Sequence, residues 1–577
     1  MRPMKMKNTT SKTQLLMALV VAATLFVAPV AFAAVPGISG GTGTPVFKLT
    51  AQQAYLNQPD GEAIYSWGYG CAAGFTPTFL PAAILAPTGG CPLMQVPGPT
   101  LIVHENDVVT VTLLNGLPTA AGNTSILFPG FNVSTSCTAT PATGQQGLLT
   151  CEATPGATVT YTFTASAPGT HAYYSGTQGD LQIEMGLYGA VIVLPANVPA
   201  NCNSGYHALN QEAKSHWGEP DFTLSHAAYD HPGSCYDREY LFQWAEMDHR
   251  IHLQAEAEVT AKQGCTAGSP GCSLDVQTEP YHPAYFLING RSMPDLMDPN
   301  YALEYPHQPY NGNPHTHGGE LLLIRSIGQG RWQHPFHEHA NHVRILARDG
   351  NLVLSSGAPV SYTSGLNGDT PVTAPGLAGL LMFNTDTTPG DAFDGIFYFT
   401  GRGLNWDPYG HHPPITGTTA GTSAADPYGD PLATLTCTPD VNGYNSIAPT
   451  AVNFMEWCQD HDKPVQVAPF GDVPGGGPAT LPDPDVFTNG AWYGGSPYLG
   501  PDASLRGSHP DCSTTTNANC TDLMPSNVQA NPATERGWAF MWHSHNEREI
   551  TTNNVFPGGM LMMLLVDSRE FVIDESQ

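Results

Sequence analysis

Basic residues are scarce in this sequence. Its 577 residues contain 20 lysines and arginines against 49 aspartates and glutamates, which gives a formal net charge of −29 at pH 7. A surface of this sign repels nucleic acids and anionic lipids and favours cations. We therefore expect no nucleic-acid partner. The charge by itself is equally well explained as a solubility surface.

Long apolar runs are absent after the first 33 residues. Residues 1–33 carry four basic side chains before an apolar run over 15–30 and end in Ala31-Phe32-Ala33. This order is typical of a signal peptide cleaved after about Ala33. A membrane anchor is the alternative, but the apolar run is shorter than the ~20 residues that a spanning helix needs. We expect a secreted protein of the periplasm, cell surface or extracellular space, with no transmembrane segment after cleavage.

Helical periodicity is nearly absent, as are glycine-rich phosphate loops and a Ser-His-Asp order. The chain has 61 glycines and 52 prolines, and its apolar segments are short and bounded by turns. Val109, Val111 and Leu113 alternate with threonines, as expected of a strand with one face in a core. The sequence therefore predicts an all-β sandwich or barrel fold.

Composition divides the chain into two β regions. We predict an N-terminal barrel over 45–195, a polar linker over 196–221 and a second barrel over 222–570. Residues 402–536 are rich in glycine, proline, aspartate and asparagine and show few strand patterns. Because a structureless loop of that length is improbable in a compact domain, we interpret 402–536 as a disulfide-stapled insertion in the second barrel.

Twelve cysteines follow residue 33. An even number of cysteines, spaced as neighbouring pairs in an exported chain, favours six local disulfides, although connectivity cannot be derived from sequence. None of the twelve lies between two histidines. The disulfide candidates are Cys71, Cys91, Cys137, Cys151, Cys202, Cys235, Cys265, Cys272, Cys437, Cys458, Cys512 and Cys520.

Two histidine clusters stand out among the 22 histidines. One is His334-Pro335-Phe336-His337-Glu338-His339, and the other is His543-Ser544-His545 after an apolar strand. Residues i and i+2 of a strand point to the same face, so each H-x-H pattern presents two imidazoles side by side. Two such pairs on neighbouring strands would offer up to four nitrogens to Cu(II) or Zn(II). The clusters therefore predict a metal site.

Other potential ligands have simpler explanations. His315-Thr316-His317 lies in a Gly/Asn/Pro context that is typical of a solvated loop. The carboxylates near the clusters are more often exposed than bound to metal, and the late methionines alternate as core residues do. The residues in this group are His249, His252, Glu338, Glu547, Glu549, Met560, Met562 and Met563.

The histidine clusters resemble the copper motifs of the multicopper oxidase family. HPFHEHANHVRILARDG resembles the third motif, H-P-x-H-x-H-G-H, and WHSHNEREITTNNVFPGGM resembles the fourth, H-C-H-x-x-x-H with a later methionine. PGPTLIVHENDVVTVTLLNGLP, MGLYGAVIVLP and FLINGRSMPD are similar to framework segments of the family. This resemblance implies two cupredoxin-like Greek-key β-barrels, copper as the cofactor and oxidoreductase activity.

The resemblance carries over only in part. His334 matches a blue-copper ligand, and His337, His339, His543 and His545 match ligands of the trinuclear cluster. Ser544 stands where the family has its copper-binding cysteine, and Glu549 replaces the second blue-copper histidine. The first motif becomes Leu127-Phe128-Pro129-Gly130 and the second becomes Tyr174-Ser175-Gly176, so four further cluster histidines are missing.

These losses restrict the expected chemistry. A blue-copper centre depends on a thiolate, which serine cannot supply. Four imidazoles can hold one copper ion, or two at most, and zinc remains an alternative. We expect one-electron chemistry on a small reductant or a metal ion, and the alternatives are a copper-binding or surface protein without turnover and a metal-free interaction module. A trimer is implied only by analogy with two-domain relatives.

Overall fold

The computed structural model describes residues 34–135, 137, 144–363, 368–399, 438, 495–498, 537–567 and 572–576. The predicted signal peptide, residues 1–33, and the predicted insertion, residues 402–536, lie outside these ranges, apart from Thr438 and 495–498. Four disulfide candidates also lie outside the described residues: Cys437, Cys458, Cys512 and Cys520.

Two five-stranded sheets form the N-terminal part. The first has the order β11-β12-β5-β1-β4, with β1 Gly37–Ser39, β4 Thr78–Leu80, β5 Leu101–His104, β11 Gly169–Tyr174 and β12 Tyr188–Leu194. The second has the order β3-β2-β6-β10-β7, with β2 Val46–Asn57, β3 Ala63–Cys71, β6 Val108–Asn115, β7 Ser134–Thr135 and β10 Thr158–Thr164. A hairpin adds β8 Gly144–Gln146 and β9 Cys151–Ala153.

The apolar residues that alternate with threonines in β6 and β10 form part of the core between these two sheets. Strands β6 and β10 pair antiparallel, with Val111 opposite Tyr161 and Val109 opposite Phe163. These side chains are buried in one cluster with residues of both sheets, whereas the threonines between them face outward or lie half-buried. The all-β prediction is confirmed.

Two larger sheets form the C-terminal part. The first has the order β14-β13-β16-β24-β18-β19, with β22 also paired to β18, and comprises β13 Arg238–Met247, β14 Tyr285–Ile288, β16 Leu321–Gly328, β18 Val343–Arg348, β19 Asn351–Leu352, β22 Leu381–Met382 and β24 Ala392–Tyr398. The second has the order β15-β27-β26-β17-β23, with β25 paired to β26, and comprises β15 His315–His317, β17 His334–Glu338, β23 Asn384–Thr387, β25 Gly495–Tyr498, β26 Gly537–Ser544 and β27 Leu561–Asp567. A separate hairpin joins β20 Val360–Tyr362 and β21 Val372–Ala374.

Helices are more extensive than the sequence predicts. The α-helices are α1 Gly179–Gln182, α2 Gly205–Trp217 and α3 His249–Ala261, and short 3-10 helices span Thr119–Ala121, Ala200–Asn203, Pro232–Ser234 and Asp295–Met297. Helix α2 lies in the segment predicted as a polar linker, and α3 begins after Asp248, whose side chain accepts a hydrogen bond from the Arg250 amide. That contact is a typical N-terminal cap. No helix among the described residues is long and apolar enough to cross a membrane.

The two halves bury a shared apolar surface. Ile192 and Leu194 of β12 lie in one buried cluster with Leu241 of β13 and Ile327 of β16. Every residue of β12 and of β13 is buried. Both strands therefore contribute to the interface between the N-terminal and C-terminal parts. Because β13 is fully buried, any polar side chain on it is buried as well.

Within the described ranges, four disulfides join cysteines that neighbour one another in the sequence. They are Cys71–Cys91, Cys137–Cys151, Cys202–Cys235 and Cys265–Cys272. Each links consecutive cysteines, as the spacing predicts.

Candidate metal centre

The register of β17 and β26 places the two histidine clusters side by side. The strands run antiparallel, with His337 opposite His543, Phe336 opposite Ser544 and Glu338 opposite Trp542. Opposed residues share a face of the sheet, and so do residues i and i+2. His337 and His543 therefore project from one face, and His339 and His545, each one residue beyond its strand, place their rings beside that of His337.

The four imidazole rings form a compact group. Ring centroids lie 4.7 Å apart for His337 and His339, 4.8 Å for His337 and His545, and 5.2 Å for His339 and His543. One nitrogen each from His337, His339 and His543 lies within 4.8 Å of the others, and the Nε2 atoms of His339 and His543 are 3.3 Å apart. Because imidazole nitrogens bind a tetrahedral ion at about 2.0–2.1 Å, two of them sit about 3.3 Å apart around one ion. His337, His339 and His543 therefore fit a single ion after small side-chain adjustments, and the His545 ring lies beside them, 4.8 Å from that of His337.

Backbone carbonyls orient two of these rings. His337 Nδ1 lies 2.5 Å from the carbonyl oxygen of Phe383, and His543 Nδ1 lies 2.6 Å from that of Ser544. A ring that donates Nδ1–H to a carbonyl presents Nε2 as its ligand atom. His545 is exposed and His339 is half-buried, so solvent reaches the group from their side.

Burial lowers the pKa of two of the four rings. Desolvation, together with the neighbouring ring of His339, lowers the pKa of His337 to about 4, and desolvation also lowers the pKa of His543. Neutral imidazole is the form that binds Cu(II) or Zn(II). The donor set therefore fits copper, which the family resemblance implies.

His334 lies on the opposite face of β17. Both of its ring nitrogens are engaged by carboxylates, because Nδ1 lies 2.8 Å from Glu549 Oε2 and Nε2 lies 2.9 Å from Glu246 Oε2. Burial alone would lower the pKa of His334, but the hydrogen bonds to Glu246 and Glu549 outweigh it and raise the pKa to about 9. The structure thus separates His334 from the four grouped histidines and holds it as an imidazolium.

The position of the family's blue copper holds a hydrogen-bonded network. Ser544 Oγ donates to Glu549 Oε2 over 2.5 Å, and the same oxygen accepts from His334. All three side chains are buried. A hydroxyl stands where a thiolate would be needed, and the imidazole nitrogens are already paired, so these residues do not fit a blue-copper ion.

The first two copper motifs bring no histidine to an equivalent site. Leu127 pairs with Tyr174 through backbone hydrogen bonds of 2.7 and 3.3 Å. Ser175 is buried and donates to Gln182 over 2.7 Å. The segments that hold cluster ligands in the family here carry ordinary structural contacts.

Two expectations about polar residues are wrong. The sequence context predicts a solvated loop for His315-Thr316-His317, but this segment is the buried strand β15, paired in parallel with β27. Glu338 and Glu549 are expected to be exposed, yet their side chains are 0% and 1% exposed.

Burial raises the pKa of Glu338 well above its usual range, and its position in β17 puts it on the face opposite His337 and His339. Glu547 is exposed, as expected.

Glu246 and Phe383, which contact histidines of the two clusters, were not predicted as functional residues from the sequence. Glu246 lies in β13, where all ten residues are buried, and a carboxylate in such a strand requires a partner. That signal was present in the sequence, whereas the role of Phe383 depends on its backbone carbonyl and left no sequence signal.

Comparisons with known proteins find similarity to copper oxidases and copper-containing nitrite reductases. The multicopper oxidase family model matches residues 94–198. Laccase-3 of Botryotinia fuckeliana is 36% identical over 110 residues, which cover 18% of this chain and 21% of that laccase. L-ascorbate oxidase of Brassica rapa subsp. pekinensis is 36% identical over 99 residues, which cover 17% of this chain and 16% of the relative. A copper-containing nitrite reductase of Alcaligenes faecalis is 29% identical over 155 residues, which cover 25% of this chain and 36% of the reductase.

These alignments span about a third or less of each curated relative. Among solved structures, a blue copper oxidase from Nitrosomonas europaea aligns with 90% of this chain and 85% of its own, at 14% identity and a TM-score of 0.37. The resemblance to multicopper oxidases is confirmed by the sequence matches.

Proposed function

We propose that this chain, whose residues 94–198 match the multicopper oxidase family model, is a secreted copper protein whose ion is bound in the second barrel by His337, His339, His543 and His545. The observation that carries the proposal is the convergence of these four imidazoles on one face of β17 and β26. Copper bound by imidazoles supplies one-electron redox chemistry. The substrate would be a small reductant or a metal ion.

The chain's own residues supply the rest of the site. The carbonyls of Phe383 and Ser544 fix two rings with Nε2 as the ligand atom. The lowered pKa values of His337 and His543 keep both rings available to metal near neutral pH. The exposed ring of His545 marks the side from which a substrate would approach.

We further propose that the chain lacks a type 1 copper and a complete trinuclear cluster. Ser544 in place of a thiolate and the doubly paired ring of His334 support the first statement. The leucine, proline, tyrosine and glycine residues at the positions of the first two motifs support the second. Four-electron reduction of dioxygen by the family's route is therefore not expected.

Metal binding tests the proposal first. Purified metal-free protein is loaded with Cu(II). Two quantities are then measured: the amount of copper bound per chain and the Cu(II) dissociation constant. We expect the variant carrying His337→Ala and His543→Ala to lose affinity by more than the roughly 10–100-fold that loss of an outer partner costs. His104→Ala, which removes a partly exposed histidine of the first barrel, is the matched control. Copper retained by the double variant at wild-type affinity would place the site elsewhere.

A turnover assay distinguishes an oxidoreductase from a non-catalytic copper-binding protein. The copper-loaded chain is assayed for oxidation of ferrous iron, manganous ion or a phenol, with free Cu(II) at the same concentration as the reference. A rate above that reference, lost in the double variant, supports an oxidoreductase. Full copper loading with no excess rate supports a non-catalytic copper-binding protein. An intense absorption band near ~600 nm would require a copper thiolate and would contradict the absence of a type 1 copper.

A further inference from the structure

Four buried polar side chains form a hydrogen-bonded group on the face of β17 and β26 that is opposite the candidate metal centre. Glu246 and Glu549 each accept a hydrogen bond from His334, and Glu549 also accepts one from Ser544. The exposed fractions of these four residues are 0–1%. We call this group the Glu246–His334–Glu549–Ser544 clamp.

The clamp joins three separate elements. Glu246 belongs to β13, His334 begins β17 and Ser544 ends β26. His334 lies three residues before His337, and Ser544 lies between His543 and His545. A displacement of either clamp residue along its strand would therefore displace the ligand side chains on the other face.

Both ends of the clamp are fixed. Glu246 Oε1 accepts hydrogen bonds from the backbone amides of Arg331 and Trp332, each at 2.8 Å, and from Tyr281 Oη at 3.1 Å. At the other end, Asn546 Nδ2 donates to Glu549 Oε1 over 2.9 Å. Neither carboxylate can move without breaking several hydrogen bonds.

Glu549 is the shared point of the clamp. Its Oε2 atom accepts from both ligand-bearing strands, at 2.8 Å from His334 of β17 and 2.5 Å from Ser544 of β26. Beyond β26, the Glu549 backbone carbonyl accepts from the Met560 amide over 2.8 Å, which ties the clamp to the start of β27. One carboxylate thus links the two strands that present the four histidines.

We propose that His334 and Glu549 are positioning residues for the four-histidine centre, and that their hydrogen-bonded clamp links the ligand strands at the positions that match the blue-copper motif of the multicopper oxidase family. This inference rests on the proposed function, since it assigns a role to residues behind that same site. Outer partners that fix ligand rings usually contribute to metal affinity and to the spectroscopic properties of the metal.

Charge is central to the clamp. Two carboxylates flank one imidazole in a region closed to water, and charge-assisted hydrogen bonds are shorter and stronger than neutral ones. Loss of one charge leaves the shape nearly intact but weakens the link between the strands. Glu549→Gln is therefore the informative substitution, since its amide oxygen can still accept from Ser544 or His334.

The test measures Cu(II) affinity and the electron paramagnetic resonance spectrum of bound Cu(II) in the full chain. We expect Glu549→Gln to weaken Cu(II) binding by up to roughly 10-fold, the lower end of the effect of a direct ligand partner, and to change the copper hyperfine splitting, because the four rings are held less uniformly. Ser544→Ala should give a smaller change of the same kind, since it removes one of the bonds to Glu549 Oε2.

Glu239→Gln is the control for general destabilisation. Glu239 is also a buried carboxylate paired with a cation, Arg325, and it contacts Tyr236 rather than the four ligands. We expect this variant to lose thermal stability while it keeps wild-type Cu(II) affinity and an unchanged spectrum. Equal losses of affinity in Glu549→Gln and Glu239→Gln would overturn the positioning role.

The two proposals fail in different ways. A wild-type chain that takes up no copper refutes the proposed function and the positioning role with it. A wild-type chain that binds copper, together with a folded Glu549→Gln variant of identical affinity and spectrum, refutes the clamp alone.

Discussion

The imidazolium of His334 should make the stability of the metal-free chain depend on pH in a defined window. Its pKa is raised from 6.5 to about 9 by the hydrogen bonds to Glu246 and Glu549, against the opposing effect of burial. A shift of one pKa unit corresponds to about 1.4 kcal/mol, so protonation of His334 contributes about 3 kcal/mol to folding. Both states are protonated below pH 6.5, and the contribution is then complete. It is lost as pH rises from 6.5 through 9.

The perturbation is His334→Gln, which removes the charge. Urea unfolding of the wild type and the variant is followed by tryptophan fluorescence at pH values from 6 to 10, with a chelator present. We expect the free-energy gap between the two proteins to be about 3 kcal/mol larger at pH 6 than at pH 10. Glu575, whose pKa burial raises to about 8, also titrates in this range but is common to both proteins and cancels.

A constant gap between pH 6 and pH 10 would refute the reasoning. It would mean that His334 is neutral in the folded chain and that one of its bonds to the carboxylates depends on a protonated glutamic acid. A gap that grows with pH would contradict the sign of the shift. In either case the clamp would lack the positive charge of His334 that strengthens its hydrogen bonds.

Three further predictions follow from the same structure. In the metal-free chain, nuclear magnetic resonance should show the His337 ring neutral down to about pH 4, because burial and the adjacent His339 lower its pKa; titration near pH 6.5 would contradict the buried site. Removal of the Cys202–Cys235 disulfide, which closes a 33-residue separation, should cost roughly 3–4 kcal/mol in chemical unfolding; no loss would mean that the bond does not constrain the unfolded chain. Trp542→Ala removes a fully buried ring that contacts Phe336 and should cost about 3–5 kcal/mol by the same assay; a cost below 1 kcal/mol would contradict the packing.

Local sequence patterns were sufficient for much of the fold. Alternation of apolar residues and threonines predicts strands such as β6 and β10, because side chains of a strand alternate between its two faces. The same period of two puts both histidines of each H-x-H pattern on one face. The spacing of the cysteines indicated local disulfides, and the four that lie in the described residues link neighbours in the sequence.

Local patterns failed where a polar residue or helix depends on distant contacts. The polar segment predicted as a linker contains helix α2, and His315-Thr316-His317 is buried as strand β15. Polar composition predicts exposure, but burial is decided by which elements cover a segment. Exposure therefore could not be predicted from these segments alone.

The sequence by itself determined that two pairs of imidazoles exist, that each pair shares a face, and that a serine stands where a thiolate would be needed. Only the tertiary structure decided that the pairs meet, because the register of β17 and β26 places His337 opposite His543. It also gave His334 its partners, Glu246 at 88 residues' separation and Glu549 at 215. Bonds between residues so far apart are set by sheet pairing and burial, which no local pattern specifies.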